Sequence, residues 1–110
     1  MPTLKPAPTL ADFQSYMEIL ETERGFAQES VVEKCLLLGE EVGEFFKAVR
    51  KREGISIDAN SAVGELGEEL ADVFMYVLAL ANRLDIDLEA AFRAKEEKNK
   101  TRTWQRTKKL

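Results

Sequence analysis

The sequence contains no histidine and a single cysteine, Cys35. The first absence excludes histidine-dependent triads, H-E-x-x-H zinc sites and Glu-x-x-His di-iron bundles. The second excludes an internal disulfide and a cysteine-built zinc site, so the chain needs no oxidising compartment. Proline is confined to Pro2, Pro6 and Pro8. That makes residues 1–8 an extended arm and leaves the rest of the chain without helix-breaking rings. Long apolar runs are missing too: the longest, Val73 to Ala81, has nine residues, where a membrane span needs about 20. With no signal-peptide pattern either, the expectation is a cytoplasmic protein with no membrane partner.

What is present is material for one domain: 110 residues, 45% hydrophobic and 33% charged, enough for a single core. Its charge is uneven. Residues 1–92 carry 18 acids against 8 bases, and residues 93–110 carry 2 acids against 8 bases. An acidic body repels a polyphosphate backbone, so polymeric nucleic acid is not the expected partner. A small anionic ligand is compatible, provided a metal sits among the acids.

The body reads as helix throughout, with no segment alternating at period two. Thr9-x-x-Asp12 is a capping pair for a first helix whose Leu10, Phe13, Met17 and Leu20 form one stripe, and Gly25 suits its end. Ser30-x-x-Glu33 caps a second helix running to about Arg52, with Gly54 as its stop. A turn-rich stretch from Gly54 to Ser61 follows. The third helix is expected from near Ser61 to about Leu84, carrying Leu66, Leu70, Val73, Val77, Leu80 and Leu84 at 4-3 spacing. Asp87 is an N-cap for a fourth helix reaching Asn99 or Arg102. The fold expected is all-α, a four-helix bundle-like domain over residues 9–104, followed by a basic tail, residues 105–110. Helix three is apolar on every side between Val73 and Ala81, so it must be covered from more than one direction, and a homo-oligomer is expected.

Helices two and three echo each other. Gly39-Glu40-Glu41-Val42-Gly43-Glu44-Phe45-Phe46 aligns with Gly67-Glu68-Glu69-Leu70-Ala71-Asp72-Val73-Phe74. Residues three apart share a helix face, so Glu41 pairs with Glu44 and Glu69 with Asp72, each pair bordering an apolar stripe. In an antiparallel hairpin, Glu41 stands level with Asp72 and Glu44 with Glu69, and the implied midpoint, between Ser56 and Ile57, falls inside the turn. Four half-buried carboxylates at one height repel unless a cation neutralises them. With oxygen ligands alone that cation is a hard divalent ion such as Mg²⁺ or Mn²⁺. A solvated acidic face is the plainer reading of one E-x-x-E; two copies in matching register favour a site.

E-E-V-G-E at 40–44 followed by E-L-A-D at 69–72 resembles the E-x-x-E … E-x-x-D signature of the MazG-like, all-α nucleoside triphosphate pyrophosphohydrolases. The segment A-K-E-E-K-N-K-T-R-T-W, with Lys95, Asn99, Arg102 and Trp104, is similar to the K-x-x-x-N-x-x-R segment of many members. The resemblance covers roughly residues 30–104. It implies a dimeric or tetrameric, Mg²⁺-dependent enzyme that cleaves (d)NTPs between the α- and β-phosphates to (d)NMP and pyrophosphate, in a nucleotide-pool housekeeping role. It implies that Glu41, Glu44, Glu69 and Asp72 hold metal. Glu41 or Glu44 would then take the proton of the attacking water.

Lys95, Asn99 and Arg102 share one face of the fourth helix and suit phosphate oxygens. Tyr76, Trp104, Phe13 and Phe26 are the flat side chains available to a base. Glu40 and Glu68 point about 100° from their neighbours and suit supporting roles. The alternatives are phosphoribosyl-ATP pyrophosphohydrolase, a dUTP- or dCTP-restricted relative, and a non-enzymatic helical oligomerisation or interaction module.

Overall fold

The computed structural model describes residues 2–105; of the basic tail, residues 106–110 lie outside the described residues. Four helices follow in order: α1 Leu10–Arg24, α2 Val31–Arg52, α3 Leu66–Arg83 and α4 Leu88–Lys100. Among the described residues there is no strand.

Each boundary has a local cause. Thr9 and Asp12 cap α1 reciprocally: the Asp12 N–H donates to Thr9 Oγ1 at 3.1 Å and the Thr9 N–H to Asp12 Oδ2 at 2.8 Å. The Thr9 backbone bond in particular holds the Asp12 carboxyl below its usual range. Gly25, left-handed at φ 80, closes α1. Ser30 and Glu33 form the same box on α2. At the far end of α2, Gly54 takes φ 74 and the Ile55 N–H turns back to the Arg50 carbonyl at 2.9 Å. The end of α3 repeats this geometry with Asp85 at φ 54, and the Ile86 N–H reaches Ala81 O at 2.9 Å. Both are helix stops in which a left-handed residue satisfies the last carbonyls. Asp87 Oδ1 then accepts from the Ala90 N–H at 3.1 Å and opens α4.

One boundary differs from the sequence expectation: α3 starts at Leu66 rather than near Ser61. Asp58 closes its own turn, taking the Asn60 N–H on Oδ1 at 2.9 Å and the Ser61 N–H on its carbonyl at 3.0 Å. Ser61 is therefore a turn residue and not a cap. The N-cap is Glu65, which makes no side-chain cap bond; the acids Glu68 and Glu69 face the positive end of the helix instead.

α2 and α3 pack as an antiparallel hairpin along most of their length, α1 lies on α3, and α4 rests on α1. α1 runs parallel to α3: Phe13 meets Phe74 edge to face at 5.5 Å, and two turns on Glu21 meets Arg83. The core between them is small, built from Met17, Leu20, Leu78 and Ala79 with Phe13, Tyr16 and Leu88 around it. Gln14 fastens α1 to the α3–α4 corner. Its Nε2 donates to Asn82 Oδ1 and the Ile86 carbonyl, and its Oε1 accepts the Leu88 N–H.

The protomer is open. Its radius of gyration is 17.4 Å, against about 13 Å for a compact domain of this length. Its accessible surface is 8648 Å², against about 6,200 Å² for a compact monomer of this mass. Leu70, Phe74 and Met75 of α3, Leu36 and Phe46 of α2 and Phe92 of α4 are all exposed, and α4 has no buried residue.

Candidate active site

The α2–α3 hairpin brings the two acidic motifs face to face. Glu41, Glu69 and Asp72 each offer a carboxylate oxygen within 4.8 Å of the others, and all three are half-buried. None of the three forms an ion pair among the described residues. Burial, and behind it the charges of Asp72, Glu69, Glu44 and Glu40, push the Glu41 carboxyl above its usual value. Carboxylates held together without a counter-charge are what a hard divalent cation neutralises. The donor set therefore fits Mg²⁺ or Mn²⁺.

Glu44 stands apart from this trio. It lies one turn on from Glu41 and makes a loose surface pair with Lys47 at 3.8 Å. Glu40 and Glu68 are exposed, and of the two only Glu40 adds to the field on Glu41.

Glu69 owes its place to a residue that sequence pattern does not single out. Its side chain folds back against Gly64, so closely that a Cβ there would overlap its carboxylate. The loop before α3 thus props one member of the trio from behind. A glycine in a loop carries no periodic signal, and only its spatial neighbour reveals the role.

A second charged group lies further along the same hairpin, where Lys34, Glu21 and Arg83 converge. Lys34 is 4% and Glu21 5% exposed. Lys34 Nζ donates to Glu29 Oε1 at 2.8 Å and lies 3.1 Å from Glu21 Oε2. The Arg83 guanidinium forks onto both Glu21 oxygens at 2.9 and 2.8 Å and donates to the Glu29 and Phe26 carbonyls. Burial alone would raise the Glu21 carboxyl, but the Arg83 and Lys34 bonds outweigh it and hold it below its usual value. Burial likewise opposes the Lys34 charge, and the Glu29 and Glu21 bonds overcome it and raise the ammonium. The sequence does carry a signal for this group. Glu21 follows Met17 by four residues, Lys34 precedes Leu38 by four and Arg83 follows Ala79 by four, so each sits in apolar register.

Tyr76 stands between the two groups, four residues beyond Asp72. Burial raises its phenol above the usual value, with Lys34 pulling down and Glu41 pushing up. Phe26 and Tyr76 both lie beside Lys34, with ring centroids 5.2 and 5.4 Å from Nζ. A cavity of ≈ 190 Å³ there is lined by Phe26, Tyr76, Met75, Lys34 and Asp72 among others. Of the other flat side chains, Phe13 belongs to the core periphery and Trp104 is 73% exposed.

The predicted phosphate residues sit elsewhere. Lys95 and Asn99 line a groove of ≈ 380 Å³ with Leu10, Phe74, Val77 and Phe92, and Arg102 is exposed beyond the end of α4. The single chain does not bring them to the carboxylate trio.

Residues 34–107 match the MazG nucleotide pyrophosphohydrolase domain, and the chain belongs to that family. Among solved structures, it is similar to YPJD from Bacillus subtilis, provisionally named a pyrophosphatase. The two share 28% identity and a TM-score of 0.76, over 90% of this chain and 100% of that one. No curated protein shows significant sequence similarity to the chain.

Proposed function

We propose that the protein is an Mg²⁺-dependent nucleoside triphosphate pyrophosphohydrolase, cleaving (d)NTPs between the α- and β-phosphates to (d)NMP and pyrophosphate. The observation that carries this reading is the trio Glu41, Glu69 and Asp72, with oxygens within 4.8 Å of one another and no ion pair to a basic side chain among the described residues. Divalent metal held there supplies charge neutralisation on the triphosphate and acidifies the attacking water. Glu44, on the same face of α2 as Glu41, adds a fourth carboxylate by a side-chain swing. Glu41 or Glu44 takes the proton of the attacking water. Lys95, Asn99 and Arg102 contact the phosphates to be released. Tyr76 with Phe26 flanks the base, while Trp104, exposed, and Phe13, packed on Phe74, are secondary candidates. Glu40 supports the site electrostatically, and Glu68 is a surface residue.

The protein works as a homo-oligomer, a dimer or a tetramer. Supporting this are the exposed apolar faces of α2, α3 and α4 and a surface of 8648 Å², about 2,500 Å² more than a compact monomer of this mass needs. Counted over two chains, that excess is on the scale of a large obligate interface. No helix among the described residues is long and apolar enough to cross a membrane. The exposed free thiol of Cys35 suits a reducing compartment, so a cytoplasmic, nucleotide-pool housekeeping role completes the proposal.

The test is pyrophosphate release from each common NTP and dNTP and from phosphoribosyl-ATP, with Mg²⁺ and with chelator. Metal-dependent monophosphate and pyrophosphate formation is expected from at least one nucleoside triphosphate. Turnover of phosphoribosyl-ATP alone would move the assignment to that relative, and no turnover of any substrate would overturn it.

A further inference from the structure

The cavity beside Lys34 meets the acidic trio at one end only. Asp72, Tyr76 and Lys34 all line it, and they stand at successive heights along the α2–α3 hairpin. Asp72 lies against Glu41, Tyr76 follows one turn further along α3, and Lys34 precedes Glu41 by seven residues on α2, about 10 Å along the helix axis. Rings wall the remote end: Lys34 Nζ is 5.2 Å from the Phe26 ring centroid and 5.4 Å from that of Tyr76. Of the other charged side chains on the wall, Glu21 has both oxygens taken by the Arg83 fork, and Arg24 is a second donor-only cation.

The Lys34 ammonium is not used up by its own chain. It carries three N–H donors. Glu29 Oε1 takes one at 2.8 Å, Glu21 Oε2 lies 3.1 Å away for a second, and no acceptor for the third is present among the described residues. With the residue only 4% exposed, that donor is unsatisfied until a ligand brings an acceptor. A nucleotide with its α-phosphate at the trio and its base in the cavity points toward Lys34 the edge farthest from its sugar, which carries C4 of a pyrimidine or C6 of a purine. Uracil, thymine, guanine and hypoxanthine present a carbonyl oxygen there. Cytosine and adenine present an amino group, a donor that an ammonium cannot pair with. We infer that Lys34 selects the substrate base: its free N–H donates to the 4- or 6-carbonyl oxygen of a keto base, and amino bases are rejected. This rests on the pyrophosphohydrolase reading given above and names its substrate class.

The pairs UTP with CTP and ITP with ATP, and their deoxy forms, differ at that position and at the ring nitrogen beside it. In every pair that the wild type hydrolyses, the keto member should be favoured by about 10- to 100-fold in kcat/KM. Equal rates within a hydrolysed pair, or preference for the amino member, overturn the inference while the reaction stands. Lys34→Gln replaces the ammonium by an amide that can turn either its N–H or its oxygen to the base, so the ratio should fall toward one. Damage to the ion network alone lowers both members of a pair alike, and an unchanged ratio in Lys34→Gln overturns the role of Lys34.

A readout independent of turnover, and of whether the variant folds, uses the α,β-imido analogues of UTP and CTP with Mg²⁺ and wild-type protein carrying ¹⁵N-lysine. The UTP analogue should bind more tightly in calorimetry by a similar factor and should shift the Lys34 ammonium resonance, which the CTP analogue leaves in place. Equal affinities, or a Lys34 resonance that ignores the UTP analogue, contradict the inference. If the wild type hydrolyses no substrate yet binds the keto analogue selectively through Lys34, the base selection stands and the assigned reaction fails; if neither analogue binds and nothing is hydrolysed, both fall.

Discussion

Two groups of acids lie along the α2–α3 hairpin, one reaching across from α1, and they differ in what meets their charge. Around Glu21, carboxylate charge is met by Lys34 and Arg83 at hydrogen-bond distance, and the Glu21 carboxyl is held below its usual value. Around Glu41, three carboxylates share a site without a cation among the described residues, and the Glu41 carboxyl is pushed up. The first group is complete as it stands and fastens α1 to α2 and α3. The second carries unbalanced negative charge, which the proposed divalent cation would neutralise. Glu21 is buried where the trio is half-buried, yet it is the placement of two basic side chains that leaves the first group balanced and the second not.

The largest break in this comparison is at Glu21. Glu21→Gln leaves Lys34 and Arg83 facing each other in a buried setting with Glu29 alone, and stability should fall by about 3–5 kcal/mol. Thermal or urea unfolding reads it, and a loss below about 1 kcal/mol would show that the network is solvent-screened. The mirror change, Asp72→Asn, should act in the opposite way: turnover falls by at least about 100-fold, while the metal-free protein is as stable as the wild type or more so, because a repulsion has been removed. A large drop in Tm on Asp72→Asn would contradict the metal-site reading.

Gly64 sharpens the comparison from the backbone side. Gly64→Ala should push the Glu69 carboxylate out of the trio and weaken Mn²⁺ binding by about 10-fold or more. Gly67→Ala, where a Cβ meets nothing within 4 Å, should leave Mn²⁺ affinity unchanged and stabilise α3 by up to about 1 kcal/mol. Equal Mn²⁺ affinities in calorimetry for the two variants would remove Gly64 from the account.

The smallest effect is with pH. Glu21 has a folded-state value below its ordinary 4.5. Its contribution is therefore present above about pH 4.5 and is lost as pH falls through the lower folded value. Tm should drop across that acidic window in the wild type and less steeply in Glu21→Gln. Parallel curves would mean that Glu21 does not couple to folding.

The helices and the acid pairing were legible in the sequence because they are periodic. Thr9, Ser30 and Asp87 cap where the capping patterns place them, and the repeated G-E-E motif set the register that puts Glu41 opposite Asp72. The start of α3 was misplaced because Ser61 and its neighbours are spent on the Asp58 turn, a competition between local hydrogen bonds that pattern does not rank. Glu44 was expected with the other three acids; helix spacing gives its face but not its rotamer, and the side chain leans to Lys47. Lys34, Glu21 and Arg83 are less legible, because charged side chains in apolar register read as exceptions until their partners from three helices are seen together. The α4 residues show the same limit in another form. Spacing put Lys95 and Asn99 on one face, yet only the packing of α4 on α1 shows that this face looks away from the acids of its own chain.

The central claim is that the Glu41, Glu69 and Asp72 trio is a divalent-metal site and the Glu21 network is not. The most direct measurement is the Tm of wild type and Asp72→Asn as Mg²⁺ or Mn²⁺ is added. The account predicts a wild-type rise that reaches about 2.7 kcal/mol of stabilisation at 100 times the dissociation constant, with no rise in Asp72→Asn. Equal responses in the two proteins, or none in either, would contradict it.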